Sequence, residues 1–330
     1  MVDAKKVYSG ILTGLHTEPQ INAMRKKLII NVAPTGAFTN REQNPRQPYT
    51  MDENVTAAIE ACKAGAAIWH VHPREDNGLP STDPEVARET IARVLEVCPD
   101  IITSVIAYSD YNQQGAGLLR PVVDYLTKAG PRYIQTCPIV IRPSSISDHY
   151  TTVVTRNSLT GVVEYLQEHG VRPEFQCDAY FSLKNVEEWL IKTGIAQQPP
   201  LMNMMAGFHG YTFSSPASAD SSCYTYISTI LDSMPKNVVR GLCAGGRNWL
   251  PFTVFAIMLG VDVVRVGMED SVYVYPDRDD KLQTPAEAVE MVVGIAEILG
   301  REIATPAEAR AIMALDAAPA NVRMKSPATA

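Results

Sequence analysis

Several common signals are missing from this 330-residue chain, and each absence narrows what it can be. No apolar run reaches the roughly 18 residues that a membrane helix needs. The N-terminal lysines and arginines (Lys5, Lys6, Arg25, Lys26, Lys27) are not followed by the apolar segment of a signal peptide, so export is not expected. A net charge of −7 leaves no basic stripe for nucleic acid. The six cysteines include no Cys-x-x-Cys pair and do not read as a disulfide framework. Cys137, Cys177 and Cys243 each end a strand-like run, where a reduced thiol serves as a small hydrophobe. A reducing, cytoplasmic compartment is the expectation. What is present is 46% apolar and 20% charged residues, enough for a substantial core.

One punctuation mark recurs: an amphipathic segment ends in glycine and a short apolar strand follows. It appears in KAGAAIWHVHP (63–73), KAGPRYIQTCP (128–138), EHGVRPEFQCD (168–178) and LGVDVVRVGME (259–269). Glycine supplies the left-handed residue that closes a helix. In TMDENVTAAIEACKAG, Val55, Ala58, Ile59 and Cys62 fall on one helical face, with Thr50 and Glu53 as a capping box. Thr284 and Thr305 start helices in the same way. Strands are expected at 27–33, 66–72, 100–107, 132–137, 172–177, 201–206, 238–244 and 261–267. Helical patterns near 51–64, 84–97, 115–129, 157–169, 183–193, 220–233, 248–259 and 285–299 separate them. Eight strands alternating with eight helices describe a (β/α)8 TIM barrel over residues 27–300. Residues 1–26 then form an N-terminal extension, and 301–330 a C-terminal helix and loose tail. A doubly wound sheet shows the same alternation, but no Gly-rich dinucleotide fingerprint follows the first strand.

In AAIWHVHPRED (66–76), His70 and His72 are two apart and therefore share a strand face. They close the second strand, at the barrel end where such folds place active sites. Two imidazoles there are either half-solvated or two-thirds of a zinc site. The third ligand is sought in VRVGMED (264–270), where Glu269 and Asp270 follow the eighth strand. Two histidines and one carboxylate leave a fourth position open, the catalytic form of a zinc site. Arg265, on that strand, needs a carboxylate partner: Asp270 or the substrate. APTGAFTN (33–40), with Thr35 and Gly36, offers donors for a carboxylate or carbonyl, or is a plain turn. In CAGGRNW (243–249), Arg247 stands just before a helix start, where barrels hold phosphate. His209 reads as a loop residue, and His16, His149 and His169 as surface or structural.

These residues resemble the β-keto acid cleavage enzymes over about residues 27 to 315. The resemblance rests on APTGA after strand one, HVHPRED after strand two, GGRNWLP after strand seven and RVGMEDS after strand eight, in that order. It implies a zinc-dependent barrel, usually a homotetramer, that converts a β-keto acid and acetyl-CoA into acetoacetate and a new acyl-CoA. It also implies that His70, His72 and Glu269 hold zinc, that Asp270 is the general base and that Arg265 is its partner. Four positions depart from the family pattern. Phe38 replaces an acidic residue that meets a substrate ammonium, so a substrate without an amino group is expected. Ile106 stands for a serine, Gln135 for a threonine and Gln176 for a glutamate that works with Arg265 and Asp270. Asp178, Thr136 and Ser109 are candidates to compensate.

Two other readings compete. An amidohydrolase-type metal hydrolase also uses His-x-His in a barrel, but on its first strand and with histidines after strands five and six. Here strand five ends Gln176-Cys177-Asp178 and only His209 is available at strand six. A metal-binding barrel with altered or lost turnover is the second, kept open by Ile106 and Gln176.

Overall fold

The computed structural model describes residues 22–36, 38–106, 119–141, 144–147, 150–152, 154–208 and 221–316. His16, Ser109, His149 and His209 lie outside the described residues. Eight parallel strands close into a barrel: β1 (Ile29–Val32), β2 (Ile68–Val71), β3 (Ile102–Val105), β4 (Thr136–Ile141), β7 (Arg172–Cys177), β8 (Leu201–Ala206), β9 (Val239–Ala244) and β10 (Val263–Val266). β10 returns to pair with β1, with Asn31 opposite Arg265. A short antiparallel hairpin, β5 (Ser144–Ser147) and β6 (Tyr150–Thr152), is inserted after β4. It was not expected from the sequence.

The helices, α1 (Met51–Lys63), α2 (Pro84–Val97), α3 (Leu119–Ala129), α4 (Arg156–Glu168), α5 (Tyr180–Val186), α6 (Ser221–Asp232), α7 (Trp249–Met258), α8 (Pro285–Ile298) and α9 (Pro306–Met313), follow the sequence signals closely. α1 begins at the Thr50–Glu53 capping box, and α8 and α9 begin at Thr284 and Thr305, each accepting from the backbone of a glutamate three residues on. Each cap satisfies donors that the first turn leaves unpaired. Among the described residues no helix is long and apolar enough to cross a membrane.

Barrel strands are buried on both faces, so their inward residues build layers. The lowest layer is apolar: Ile29, Ile68, Ile102, Leu201, Val239 and Val263 pack against Ala304, Ala309 and Met313. α9 thus plugs the floor of the barrel. Arg301, only 1% exposed, fastens this plug by donating to the carbonyls of Lys26 (2.9 Å), Ile257 (3.0 Å) and Val261 (2.5 Å). Residues 301–316 are therefore part of the closed base. Two positions further along each strand the interior turns polar, with Asn31, His70, Ser104, Thr136, Glu174 and Arg265 all buried. His72, Ile106, Gln176 and Cys243 stand one step nearer the mouth.

One strand boundary differs from the sequence reading in a way that matters. The run RYIQTC was expected as strand 132–137, but β4 spans Thr136–Ile141 and passes through Pro138. Pro138 donates nothing to the ladder, yet it holds a register position opposite Glu174. The shift leaves Gln135 before the strand, where its side chain accepts from Arg310 of α9 at 3.3 Å. Gln135 is therefore at the floor, and the assignment of this residue to a substrate pocket is corrected.

Candidate metal centre

His70 and His72 end β2 on its inward face, and Glu269 reaches them from the turn after β10. Their ring Nε2 atoms lie 3.0 Å apart. The Glu269 oxygens lie 3.3 Å from each ring nitrogen. Those edges suit a small divalent ion bound at about 2.0–2.1 Å with near-tetrahedral angles, which sets its ligand atoms roughly 3.3 Å apart. Oε2 of Glu269 is buried without a hydrogen-bond partner. Such an atom costs free energy unless something fills its coordination. Among the described residues, these three form the one group able to hold a metal ion.

Their charge states fit that use. Burial pushes the His70 imidazole well below its ordinary value, outweighing the pull of Glu269. A neutral imidazole has the lone pair that a metal needs. Burial works the other way on Glu269, but His72, Arg265 and His70 outweigh it and hold the carboxyl well below the usual range. A buried carboxylate facing two imidazoles is a ready-made cation site.

The surrounding loops press the ligands into place. Gly36 lies against Glu269 so closely that a Cβ would overlap its carboxylate. Arg74, 7% exposed, holds that loop by donating to Thr35 Oγ1 at 3.0 Å and to the Gly36 carbonyl at 2.5 Å. Gln47 donates to Thr39 at 2.7 Å, and Thr39 in turn donates to the Met268 carbonyl. Asn54 of α1 fixes the end of β2 by donating to the His72 carbonyl at 3.1 Å. HVHPRED and APTGA are thus two halves of one clamp around Glu269.

Asp270 turns the other way and meets Arg265. The guanidinium donates through Nε to Oδ2 at 3.0 Å and through Nη2 to Oδ1 at 2.5 Å, a bidentate pair. Arg265 is the carboxylate-bound arginine that its interior position required. Its Nε also points at the Cys243 sulfur, 2.9 Å away, and its Nη2 is 3.9 Å from Glu269. Burial pushes the Asp270 carboxyl up to about 6, opposed by Arg265 and reinforced by Glu269. A carboxylate that is dry, oriented by two hydrogen bonds and beside a metal site is equipped to take a proton from carbon.

The remaining sequence candidates are distributed around this centre. Phe38 packs on Phe208, ring centroids 4.8 Å apart, with Met205 and Cys243 completing an apolar wall. Ile106 and Gln176 stand on the inward side of β3 and β7, level with His72. Asp178 accepts from Ser182 at 2.8 Å. Arg247 is at the rim, stacked 3.6 Å over Tyr273, paired with Asp279 and donating to the Arg278 carbonyl. His169 faces Asp124 at 3.2 Å on the outer helices, away from the mouth. Glu174 was missed, as were its partners Ser104 and Asn203. The signal was a lone carboxylate two residues before Gln176, inside a strand buried on both faces.

The chain matches the beta-keto acid cleavage enzyme family over residues 27–315. A 3-keto-5-aminohexanoate cleavage enzyme of Fusobacterium nucleatum is 33% identical over 295 residues, covering 88% of this chain and 99% of its own. A 3,5-dioxohexanoate:acetyl-CoA acetone transferase of Paraburkholderia graminis is 27% identical over 314 residues, covering 90% and 98%. The solved ternary complex of ObcA with a C4-CoA adduct and oxalate shares the fold, with a TM-score of 0.66 at 18% identity over 82% of this chain and 68% of that one. The chain, a closed eight-stranded parallel barrel, belongs to the beta-keto acid cleavage enzyme family.

Proposed function

We propose that the chain is a zinc-dependent acyltransferase that exchanges a β-keto acid with acetyl-CoA, yielding acetoacetate and a new acyl-CoA. The observation that carries this reading is the placement of His70, His72 and Glu269 beside the buried Arg265–Asp270 pair at the barrel mouth. The name of the Paraburkholderia graminis relative, an acetyl-CoA-dependent transferase acting on a keto acid, supports it. Two imidazoles and one carboxylate with an open position are the donor set of a catalytic zinc site. When bound, zinc acts as a Lewis acid toward a carbonyl.

The residues of this chain then have defined tasks. Asp270, aligned by Arg265, takes the proton from the carbon between the two carbonyls of the keto acid. The carbanion attacks the acetyl carbonyl of acetyl-CoA, and CoA leaves as its thiolate. The thiolate attacks the original keto carbon, the bond to the central carbon breaks, and Asp270 returns its proton to give acetoacetate. Arg265 holds Asp270 in register throughout. Thr35 and Gly36 form the loop wall, while Ile106 and Gln176 line the opposite side. Phe38, tilted against Phe208, offers no counter-charge to an ammonium group, which favours a keto acid without one. Arg247 at the rim is assigned to the phosphates of acetyl-CoA, giving up Asp279 when they bind. The enzyme works as a cytoplasmic homotetramer in this reading.

The test is a screen of β-keto acids with acetyl-CoA, following acetoacetate and acyl-CoA together. Stoichiometric appearance of both supports the proposal. Consumption of keto acid by water alone, without CoA products, would replace it with a hydrolase.

A further inference from the structure

Glu174 has no task in the chemistry above, yet it is fully enclosed in the polar layer of the barrel. Ser104 of β3 donates to its Oε1 at 2.6 Å, Thr136 of β4 donates to the same oxygen, and Asn203 of β8 donates to Oε2 at 3.3 Å. The site is built for this arrangement, because a Cβ on Gly241 would collide with the Asn203 amide oxygen. Donors from three strands converge on one carboxyl, and the ionised form accepts them all without a spare proton to place. Burial pushes this carboxyl up, while its three donors and the charge of Arg265 pull it back down.

The charges that act on one another in this interior are few. Three carboxyl side chains, Glu174, Glu269 and Asp270, and the Arg265 guanidinium are buried around the histidine pair; Arg265 is bound to Asp270, and Ser104, which donates to Glu174, stands opposite His70 in the β2–β3 ladder. The guanidinium matches one of these three carboxyls, so the group as a whole favours a cation. Uncompensated charge in a sealed interior is costly, and a divalent cation carries the opposite sign. We propose that Glu174 is the buried counter-charge of the metal centre, setting with Glu269 how tightly a divalent cation is held at His70 and His72. The inference rests on the metal reading of the previous section and adds to it a residue that does not touch the ion.

Glu174→Gln separates charge from architecture. The amide oxygen still accepts from Ser104 and Thr136, and the new NH2 faces Asn203, whose own amide can turn to present its oxygen. A merely structural Glu174 would lower the thermal midpoint of metal-free and zinc-loaded protein alike. A counter-charge behaves differently, because its removal relieves repulsion without the cation and weakens the attraction with it.

The experiment is a competition for zinc between the full-length chain and a chromogenic chelator, with thermal unfolding of both metal states. In E174Q the zinc dissociation constant should rise on the order of tenfold or more. The zinc-induced rise in midpoint should shrink, and the metal-free midpoint should hold or increase. Gln176→Glu probes the same effect without touching the network, by adding a negative charge one layer above. It should tighten zinc binding and lower the metal-free midpoint. Equal zinc affinity in wild type and E174Q, a parallel fall of both midpoints, or no tightening in Q176E would overturn the role of Glu174. A wild-type chain that binds no zinc would overturn the metal centre itself.

Discussion

Replacing Gly36 with alanine adds one methyl group at the point where the loop after β1 touches the carboxylate proposed to bind the metal, Glu269. A Cβ there overlaps the Glu269 side chain, which is 2% exposed and faces His70 and His72. Neither side retreats freely. The loop is held by Arg74, and the Glu269 N–H bonds the Ala33 carbonyl at 3.1 Å. Overfilling a closed site costs about 1–3 kcal/mol. If Glu269 gives way, that cost falls on the cation. At 1.4 kcal/mol per factor of ten, zinc binding weakens roughly 5- to 150-fold. Chelator competition reads this directly, and thermal unfolding of the metal-free variant shows whether the loop yielded instead. A G36A variant with wild-type zinc affinity and a wild-type midpoint would refute the packing argument.

Asp270→Asn should cut turnover by on the order of 10²–10⁴ while leaving metal content unchanged, since the residue is placed as a base and not as a ligand. Metal analysis alongside steady-state rates checks both halves, and loss of zinc in D270N would count against that division. Phe38→Glu puts a carboxylate into the apolar wall around Phe208; kcat/KM for an uncharged keto acid should fall and that for an amino-bearing one rise. Arg301→Met strands the buried carbonyls of Ile257 and Val261 and the part-buried one of Lys26 at the barrel floor. It should destabilise the chain by about 3 kcal/mol or more, seen as a lower urea midpoint, with the kcat of the surviving folded fraction unchanged.

The barrel was legible because its signals are local. Capping threonines at 50, 284 and 305, glycine-closed helices and eight apolar runs each depend on residues close in sequence. The shared face of His70 and His72 was legible for the same reason, because period two alone decides it. Glu269 needed the strand count, since only ring closure brings the end of β10 beside β2. What could not be read from sequence depends on packing between distant strands. Gln135 was assigned to the pocket by resemblance, with its strand read as 132–137, whereas the ladder with β7 carries β4 on to Ile141. Glu174 looked incidental beside Gln176, because its partners Ser104, Thr136 and Asn203 come from three other strands. The role of the C-terminal helix was hidden too, since Ala309 and Met313 acquire meaning only against the side chains of the barrel floor.

The most direct test of the acyl exchange follows carbon. The purified, zinc-loaded chain is given an unlabelled β-keto acid and acetyl-CoA carrying 13C in both acetyl carbons, with and without prior removal of the metal. If the centre at His70, His72 and Glu269 performs the exchange, acetoacetate appears labelled at its ketone and methyl carbons, the acyl-CoA product is unlabelled, and both vanish in the metal-free sample. Unlabelled acetoacetate, free labelled acetate without acyl-CoA, or undiminished turnover after metal removal would contradict it.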